Sequence, residues 1–211
     1  MKQDDRMIQK APLSVLIADD HQVVTDLIGP YLAGRGNLSV HVAHDLADAI
    51  KACHQSGPFD VVLLDYFMPD MSGIDSIRKL IDINRPGRVA LFSGIESQVV
   101  LIHAIKAGAY GLIPKSISAR NIAEIISSIA NGEIYYPVWY TNLDRQEQVR
   151  ALSKRESEIL GHLRGGLTNE EIAHICGIST GTVKLHVKSA CTKLGVKNRT
   201  QAAMIAEDLK L

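Results

Sequence analysis

The 211-residue sequence predicts a doubly wound α/β domain built on a five-stranded parallel sheet, followed by a small all-α domain of four helices. Short apolar segments alternate with segments of helical spacing five times, and this order favours a parallel sheet with right-handed crossover connections. Two of the apolar segments end in aspartate. From residue 150 onward, every segment with a regular apolar pattern has helical spacing. These observations divide the chain into two parts of different structural class.

The strongest strand prediction is the segment Val61–Asp65, which has four consecutive apolar residues followed by a carboxylate. An apolar run without alternation is typical of a strand covered by helices on both faces. Residues 14–18 form a similar segment that ends in Asp19-Asp20. Because ligands bind at the carboxyl ends of such strands, we expect the three carboxylates to share one pocket. An oxygen-only cluster suits Mg²⁺ or Mn²⁺; the alternative is a set of loop or cap aspartates.

The other strands are predicted from shorter apolar segments at residues 39–43, 88–93 and 111–113, and a helix follows each strand. The first helix contains Pro30, so we expect a kink or an early end there. Asp45 is positioned to cap the second helix. The apolar face predicted for the first helix comprises Val24, Leu27, Ile28 and Tyr31.

Charge also separates the two parts of the chain. Residues 150–211 contain 10 Lys/Arg and 6 Asp/Glu, whereas residues 1–149 contain 13 and 17. A basic second part favours a polyanionic partner. The predicted division is a polar tail at 1–12, a first domain at 13–133, a linker at 134–150 and a second domain at 151–211.

The sequence predicts a cytoplasmic protein. Its apolar runs are all shorter than the roughly 18 residues needed to span a membrane, and its polar start is unlike a secretory signal. The three cysteines, at positions 53, 176 and 191, are widely separated, which is typical of reduced thiols rather than disulfides or a metal site.

Two short helices joined by a glycine-containing turn predict a helix-turn-helix in the second domain. Ser153 and Thr168 each precede a glutamate by three residues, which is the spacing of a capping box at a helix start. A third helix is predicted from about Thr180 to Leu194, and a fourth from Arg199 to Leu209.

The third helix of this domain has features of a DNA-reading helix. Lys184 and Lys188 lie one turn apart on its outward face, and Leu185 lies roughly opposite its apolar stripe. Amines can contact phosphate or guanine and methyl groups can contact a thymine methyl in the major groove. The alternative is an ordinary solvated helix face.

Five polar positions at strand ends and the segment Asp65-Tyr-Phe-Met-Pro-Asp-Met-Ser-Gly73 carry a family resemblance. The five positions are Asp19, Asp20, Asp65, Ser93 and Lys115. Residues 13–133 resemble the receiver domain of two-component response regulators, which has a flavodoxin-like fold. The resemblance implies that Asp65 accepts a phosphoryl group from the histidine of a sensor kinase. The metal ligands that it implies for Mg²⁺ are Asp20, Asp65 and the main-chain carbonyl of Phe67, with Asp19 acting through water.

The resemblance also implies that Lys115 contacts the phosphoryl group and that Ser93 swings toward it as a switch. One position departs from the family pattern. Receivers usually have Tyr or Phe three residues before the lysine, and here that position is Leu112. Tyr110 lies two residues earlier and, by strand alternation, is expected on the same face as Leu112. The switch could therefore use aliphatic repacking or Tyr110, or be weak.

The second domain resembles the LuxR-type DNA-binding domain over residues 150–209. The resemblance is carried by Leu152-Ser-Lys-Arg-Glu156, Gly166-Leu-Thr-Asn-Glu-Glu-Ile-Ala173, Gly181-Thr-Val-Lys184 and Lys193-Leu-Gly-Val-Lys-Asn-Arg-Thr200. The DNA contacts expected from it are Thr180, Thr182, Lys184, Leu185, Lys188, Lys197, Asn198 and Arg199. The last helix is either a dimer contact or pure core, through Ala202, Ala203, Ile205 and Ala206.

The sequence is thus interpreted as a response regulator of the NarL/FixJ type, with no enzymatic activity beyond self-phosphorylation and slow autodephosphorylation. The expected partners are a sensor histidine kinase, double-stranded operator DNA, a second copy of the active chain and RNA polymerase. One alternative is a transcription factor whose degenerate receiver answers to a ligand or protein. Another is a hydrolase that uses Asp65 covalently, but such hydrolases typically have a second acid where this chain has Phe67.

Overall fold

The computed structural model describes residues 11–35, 37–141 and 152–208. The strands are β1 (Leu13–Ala18), β2 (Leu38–Ala43), β3 (Val61–Leu64), β4 (Arg88–Ser93) and β5 (Leu112–Pro114). The helices of the first part are α1 (Gln22–Ala33), α2 (Leu46–Ser56), α3 (Gly73–Ile83), α4 (Gln98–Ala107), α5 (Ala119–Ala130) and α6 (Val138–Thr141). Those of the second part are α7 (Lys154–Arg164), α8 (Asn169–Cys176), α9 (Thr180–Leu194) and α10 (Arg199–Asp208).

The five strands form one parallel sheet in the order β2-β1-β3-β4-β5. One apolar cluster joins α2, α3 and α4 to one face of the sheet, and another joins α1 and α5 to the opposite face. All four residues of β3 are buried, as expected for a central strand covered on both sides. The predicted doubly wound architecture is therefore confirmed.

The predicted apolar face of α1 is correct for Val24 and Ile28, which pack against the core, and wrong for Leu27 and Tyr31, which are exposed. The helix buries Thr25, Gly29 and Leu32, while Leu27 is 67% exposed. The small Gly29 faces Val40 and Val42 of β2, so the helix approaches the sheet along this residue and its larger apolar side chains lie to the sides. The helix continues for three residues beyond Pro30, so the early end that was one of the two predicted outcomes does not occur.

In the second part α9 matches its predicted range, α10 begins at the predicted Arg199, and both predicted capping boxes are formed. Gly177 has a left-handed backbone (φ 63°) that ends α8 and opens the tight turn before α9. Apolar spacing in α8 would place Ile175 in the core together with Ile172, but Ile175 is 55% exposed and Ala173 is buried instead.

Part of the predicted linker has regular structure. The predicted linker at 134–150 includes α6 and a bridge between Tyr135 and Gly111, while residues 142–151 lie outside the described residues. Most of the predicted tail and the predicted helix end at Leu209 also lie outside them. In the part of the chain that the structure describes, none of the helices combines the length and apolar character needed to cross a membrane.

Glu156 links α7 to α9 through a buried carboxylate that is 4% exposed. It accepts hydrogen bonds from the Ser153 amide (2.6 Å), the Ser189 hydroxyl (2.7 Å) and the Lys193 ammonium (2.7 Å). Burial alone would raise the pKa of Glu156, but these hydrogen bonds outweigh it and lower the pKa to about 2. Its stabilising contribution is therefore present above about pH 4.5 and is lost as the pH falls through about 2.

We expect Glu156→Ala to lower the stability of the second domain by about 3 kcal/mol, because it leaves Lys193 without its buried partner and removes the capping box. Native-state hydrogen exchange of the α7 amides measures this change. The matched control is Glu158→Ala, an exposed glutamate of the same helix, for which we expect less than about 1 kcal/mol. Equal effects of the two variants would remove this role from Glu156.

Candidate functional site

The predicted acidic residues meet at the carboxyl ends of β1 and β3. Ala18 lies opposite Leu64 in the sheet register, so Asp19 and Asp65 leave neighbouring strands side by side. Both are buried (0% and 2% exposed), whereas the Asp20 side chain is 31% exposed at the rim. Lys115 follows β5 and places its ammonium 2.7 Å from the Oδ2 atoms of both Asp19 and Asp65.

Lys115 contacts the two buried carboxylates in different ways. Its contact with Asp65 is a hydrogen bond, but its contact with Asp19 Oδ2 lacks hydrogen-bond geometry, so that buried oxygen has an ionic neighbour and no hydrogen-bond donor. The Phe67 amide also donates to Asp65 Oδ1 (3.1 Å). Burial raises the pKa of Asp65, and the nearby Lys115 ammonium opposes that rise. Positive charge beside Asp65 thus favours its ionised form.

His21 belongs to the pocket, although the sequence analysis did not identify it. Its Nδ1 atom lies 3.1 Å from Asp19, 2.8 Å from Asp20 and 3.8 Å from Asp65, and its side chain is 64% exposed. The only clue in the sequence is that it directly follows the two aspartates. Its ring lies against the same oxygen atoms that a cation would use, and its ligand atom lies within 4.8 Å of them.

The donor set fits a hard divalent cation. Oxygen atoms of Asp19, Asp20 and Asp65 lie within 4.8 Å of one another, and Asp19 Oδ2 is buried without a hydrogen-bond donor. Carboxylates with a main-chain carbonyl and water are ligands that suit Mg²⁺. In a second cluster, formed by Glu158, His162 and Cys176, the glutamate is already paired with Arg155 at 2.7 Å.

The predicted switch residues are divided between the two faces of the sheet. Ser93 is buried at the end of β4, and its hydroxyl accepts a hydrogen bond from the Ile95 amide (3.2 Å). Leu112 is fully buried in the cluster with α3 and α4, whereas Tyr110 packs with the cluster on the opposite face. Gly111 has φ 123°, so the extended alternation does not reach back to Tyr110. The expectation that both share one face is wrong, and Tyr110 is not placed to replace the missing aromatic.

The outward face of α9 carries the residues predicted to read DNA. Lys184 and Lys188 are exposed, and the Leu185 side chain is 69% exposed although leucine is usually buried. The Thr182 hydroxyl lies 2.9 Å from that of Ser179, the residue that caps the helix, and Thr180 is half-buried. The two lysines and the leucine thus form one open surface.

The other predicted contacts also have structural roles. The Asn198 carboxamide oxygen accepts a hydrogen bond from the Gln201 amide, and Arg199 donates to Asn169 and to the Leu167 carbonyl. Lys197 is exposed beside them. In α10, Ala202, Ile205 and Ala206 are buried and Ala203 is half-buried. The burial of Ala202, Ile205 and Ala206 supports the interpretation that these three residues belong to the hydrophobic core.

Comparison with known proteins agrees with this architecture. Residues 15–127 match the family model described as the response regulator receiver domain, and residues 150–206 match that of the bacterial regulatory proteins of the luxR family. The chain is 32% identical over 193 residues to the probable transcriptional regulatory protein SgaR of Hyphomicrobium methylovorum, covering 92% of each chain. It is 33% identical over 203 residues to the response regulator protein VraR of Staphylococcus aureus, covering 92% of this chain and 96% of VraR.

A solved structure of RcsB from Salmonella enterica serovar Typhimurium, bound to promoter P1flhDC in the presence of the phosphomimetic BeF3⁻, shares the fold at 24% identity. The alignment has a TM-score of 0.65 and covers 93% of this chain and 98% of RcsB. Taken with the two family matches and the geometry of the pocket, these findings show that the chain belongs to the response regulators that join a receiver domain to a LuxR-type DNA-binding domain.

Proposed function

We propose that Asp65 accepts a phosphoryl group from the phosphohistidine of a sensor kinase and that this reaction controls the binding of α9 to operator DNA. The observation that supports it most strongly is the position of Asp65, buried at the end of a central strand and 2.7 Å from Lys115. The pocket would position the phosphoryl group and stabilise its charge, and it would not turn over a separate substrate. The only further reaction expected is slow autodephosphorylation of Asp65.

In the proposed reaction an Asp65 carboxylate oxygen attacks phosphorus, an O–P bond forms and the P–N bond to the kinase histidine breaks. The bonding electrons leave with the imidazole, which then takes a proton from solvent. Lys115 would hold a phosphoryl oxygen, and Asp19, Asp20, Asp65 and the Phe67 carbonyl would hold Mg²⁺. When bound, Mg²⁺ supplies positive charge to the transferring oxygens.

The switch would begin at Ser93. Its hydroxyl, now engaged by the Ile95 amide, would turn to donate to the phosphoryl group and draw the loop after β4 inward. With Leu112 at the usual aromatic position, this movement is followed by aliphatic repacking on that face. We further propose a receiver at 13–133, a linker at 134–150 and a DNA-binding domain at 151–211, acting as a cytoplasmic homodimer that contacts DNA and RNA polymerase.

We expect phosphorylation to raise DNA affinity only twofold to tenfold, which corresponds to about 0.4–1.4 kcal/mol of coupling. The reason is that Leu112 lacks the aromatic ring whose movement usually accompanies that of the switch hydroxyl in this family. Titration of a DNA fragment, selected from a random library by the phosphorylated protein, measures the gain. A gain above about a hundredfold would show that another element fully replaces the aromatic residue.

The proposed acceptor reaction is tested by incubating the chain with acetyl phosphate and Mg²⁺ and measuring intact mass. We expect one phosphoryl group per chain, and none when a chelator removes the cation. An unlabelled chain that still binds the selected DNA would favour the alternative, a receiver controlled by a ligand or protein partner.

A further inference from the structure

The two domains touch beside the phosphoacceptor loop. Asp208, the last residue of α10, accepts a hydrogen bond from the Tyr66 hydroxyl and another from the Ile74 amide (2.8 Å). Tyr66 directly follows Asp65 in the sequence, and its side chain is fully buried. Gly73 permits this approach, because a Cβ atom there would overlap the Asp208 carboxylate. The residue next to the phosphoacceptor is therefore bonded to the DNA-binding domain.

A second contact holds the end of the DNA-reading helix. The Ser97 hydroxyl, at the start of α4, donates to the Leu194 carbonyl (2.5 Å) at the end of α9. A Cβ atom at Gly195 would lie 2.9 Å from the Glu96 carbonyl oxygen, so the two main chains are in close contact. Ser97 belongs to the same loop as Ser93, which places both interdomain contacts next to groups that change on phosphorylation.

These contacts leave the DNA-reading face uncovered. Leu185 is 69% exposed, and Lys184 and Lys188 are exposed as well. The receiver instead holds the carboxyl ends of α9 and α10. Such an arrangement fixes the orientation of the DNA-binding domain relative to the receiver. In a dimer the two DNA-binding domains must be free to reorient, so that each DNA-reading helix reaches its own half-site.

We propose that the Tyr66–Asp208 contact is the connection through which phosphorylation of Asp65 releases the DNA-binding domain. This inference rests on the proposed phosphorylation. The acyl phosphate carries about 1.5 to 2 negative charges where the Asp65 carboxylate carried one, so it adds roughly 0.5 to 1 negative charge at the residue next to Tyr66. It also changes the surroundings of the Asp65 carboxylate, to which Lys115 and the Phe67 amide now donate hydrogen bonds.

The contact is easily broken because burial in it removes water from the charged Asp208 carboxylate. Burial raises the pKa of Asp208 to about 6, and the hydrogen bond from Ile74 only partly offsets the loss of hydration. Added negative charge beside Tyr66 further disfavours the buried carboxylate. The contact also explains how the chain can signal with Leu112 at the aromatic position, since Tyr66 is an aromatic side chain already bonded to the other domain.

The test compares Tyr66→Phe, which removes the hydroxyl and keeps the ring, with Asp208→Ala, which removes both acceptor oxygens, and uses Tyr136→Phe as a matched control away from this contact. Hydrogen exchange of the Ile74 amide reports the contact directly. In the wild type we expect its exchange to increase severalfold on phosphorylation. In Asp208→Ala it should be fast without phosphorylation.

Both contact variants should bind the selected DNA twofold to tenfold more tightly than unphosphorylated wild type, gain little more on phosphorylation, and be labelled normally by acetyl phosphate. Wild-type DNA affinity and an undiminished response in both variants would overturn the inference while leaving the acceptor reaction intact. Failure of the wild type itself to be labelled would instead overturn the proposed function.

Discussion

Asp65→Asn is expected to abolish labelling by acetyl phosphate completely. The carboxamide that replaces the carboxylate has no anionic oxygen to attack phosphorus, and no other acid occupies the end of β3. Intact-mass measurement in the presence of Mg²⁺ checks this result. The control is Asp82→Asn, an exposed aspartate of α3 that pairs with Arg85 and should leave labelling unchanged. Persistent labelling of Asp65→Asn would move the acceptor to another residue.

The same variant should remain folded. Asparagine has nearly the shape of aspartate, and Lys115 keeps its ionic contact with Asp19 at 2.7 Å. Burial already disfavours the charge on Asp65, so removing that charge has little cost for the folded state. Thermal denaturation should therefore distinguish a chemical loss from a structural one.

The second large effect is expected at the DNA-reading face of α9. Lys184 is nearer the helix end that enters the groove, so we expect it to contact a base, and Lys184→Ala should cost about 1–3 kcal/mol of DNA-binding free energy. It should also relax the sequence preference at one base pair. Lys188→Ala should weaken binding to all sequences alike and lower the salt slope by about one, as for a phosphate contact.

Leu185→Ala should weaken binding without changing the salt slope, because the side chain carries no charge. The measurement is a titration of each variant against selected and random DNA at several salt concentrations, with Lys51→Ala on the exposed face of α2 as the control. Wild-type affinity for both DNAs in all three variants would exclude α9 from the interface.

The sheet and the caps were predictable because their determinants are local. The run Val61–Leu64 has no polar residue to place outward, and Ser153 and Glu156 satisfy each other within one turn. The face of α1 was not predictable in this way, since it depends on how closely Gly29 approaches β2. Apolar spacing identifies an amphipathic helix but does not tell how near its backbone comes to the sheet.

The pocket shows the same limit. The convergence of Asp19, Asp65 and Lys115 follows from their positions at strand ends, which any parallel sheet brings together. The position of the His21 ring beside the carboxylates depends on its side-chain rotamer, which the sequence pattern does not predict. The bond between Tyr66 and Asp208 joins residues 142 positions apart in different domains, and only the packed structure shows it.

The most direct test of phosphorylation control is one paired titration. The affinity of the wild type and of Asp65→Asn for the same selected DNA fragment is measured before and after treatment with acetyl phosphate and Mg²⁺. Control through Asp65 predicts a twofold to tenfold gain for the wild type and no gain for Asp65→Asn. The same gain in both proteins, or no gain in a wild type that is fully labelled, would contradict it.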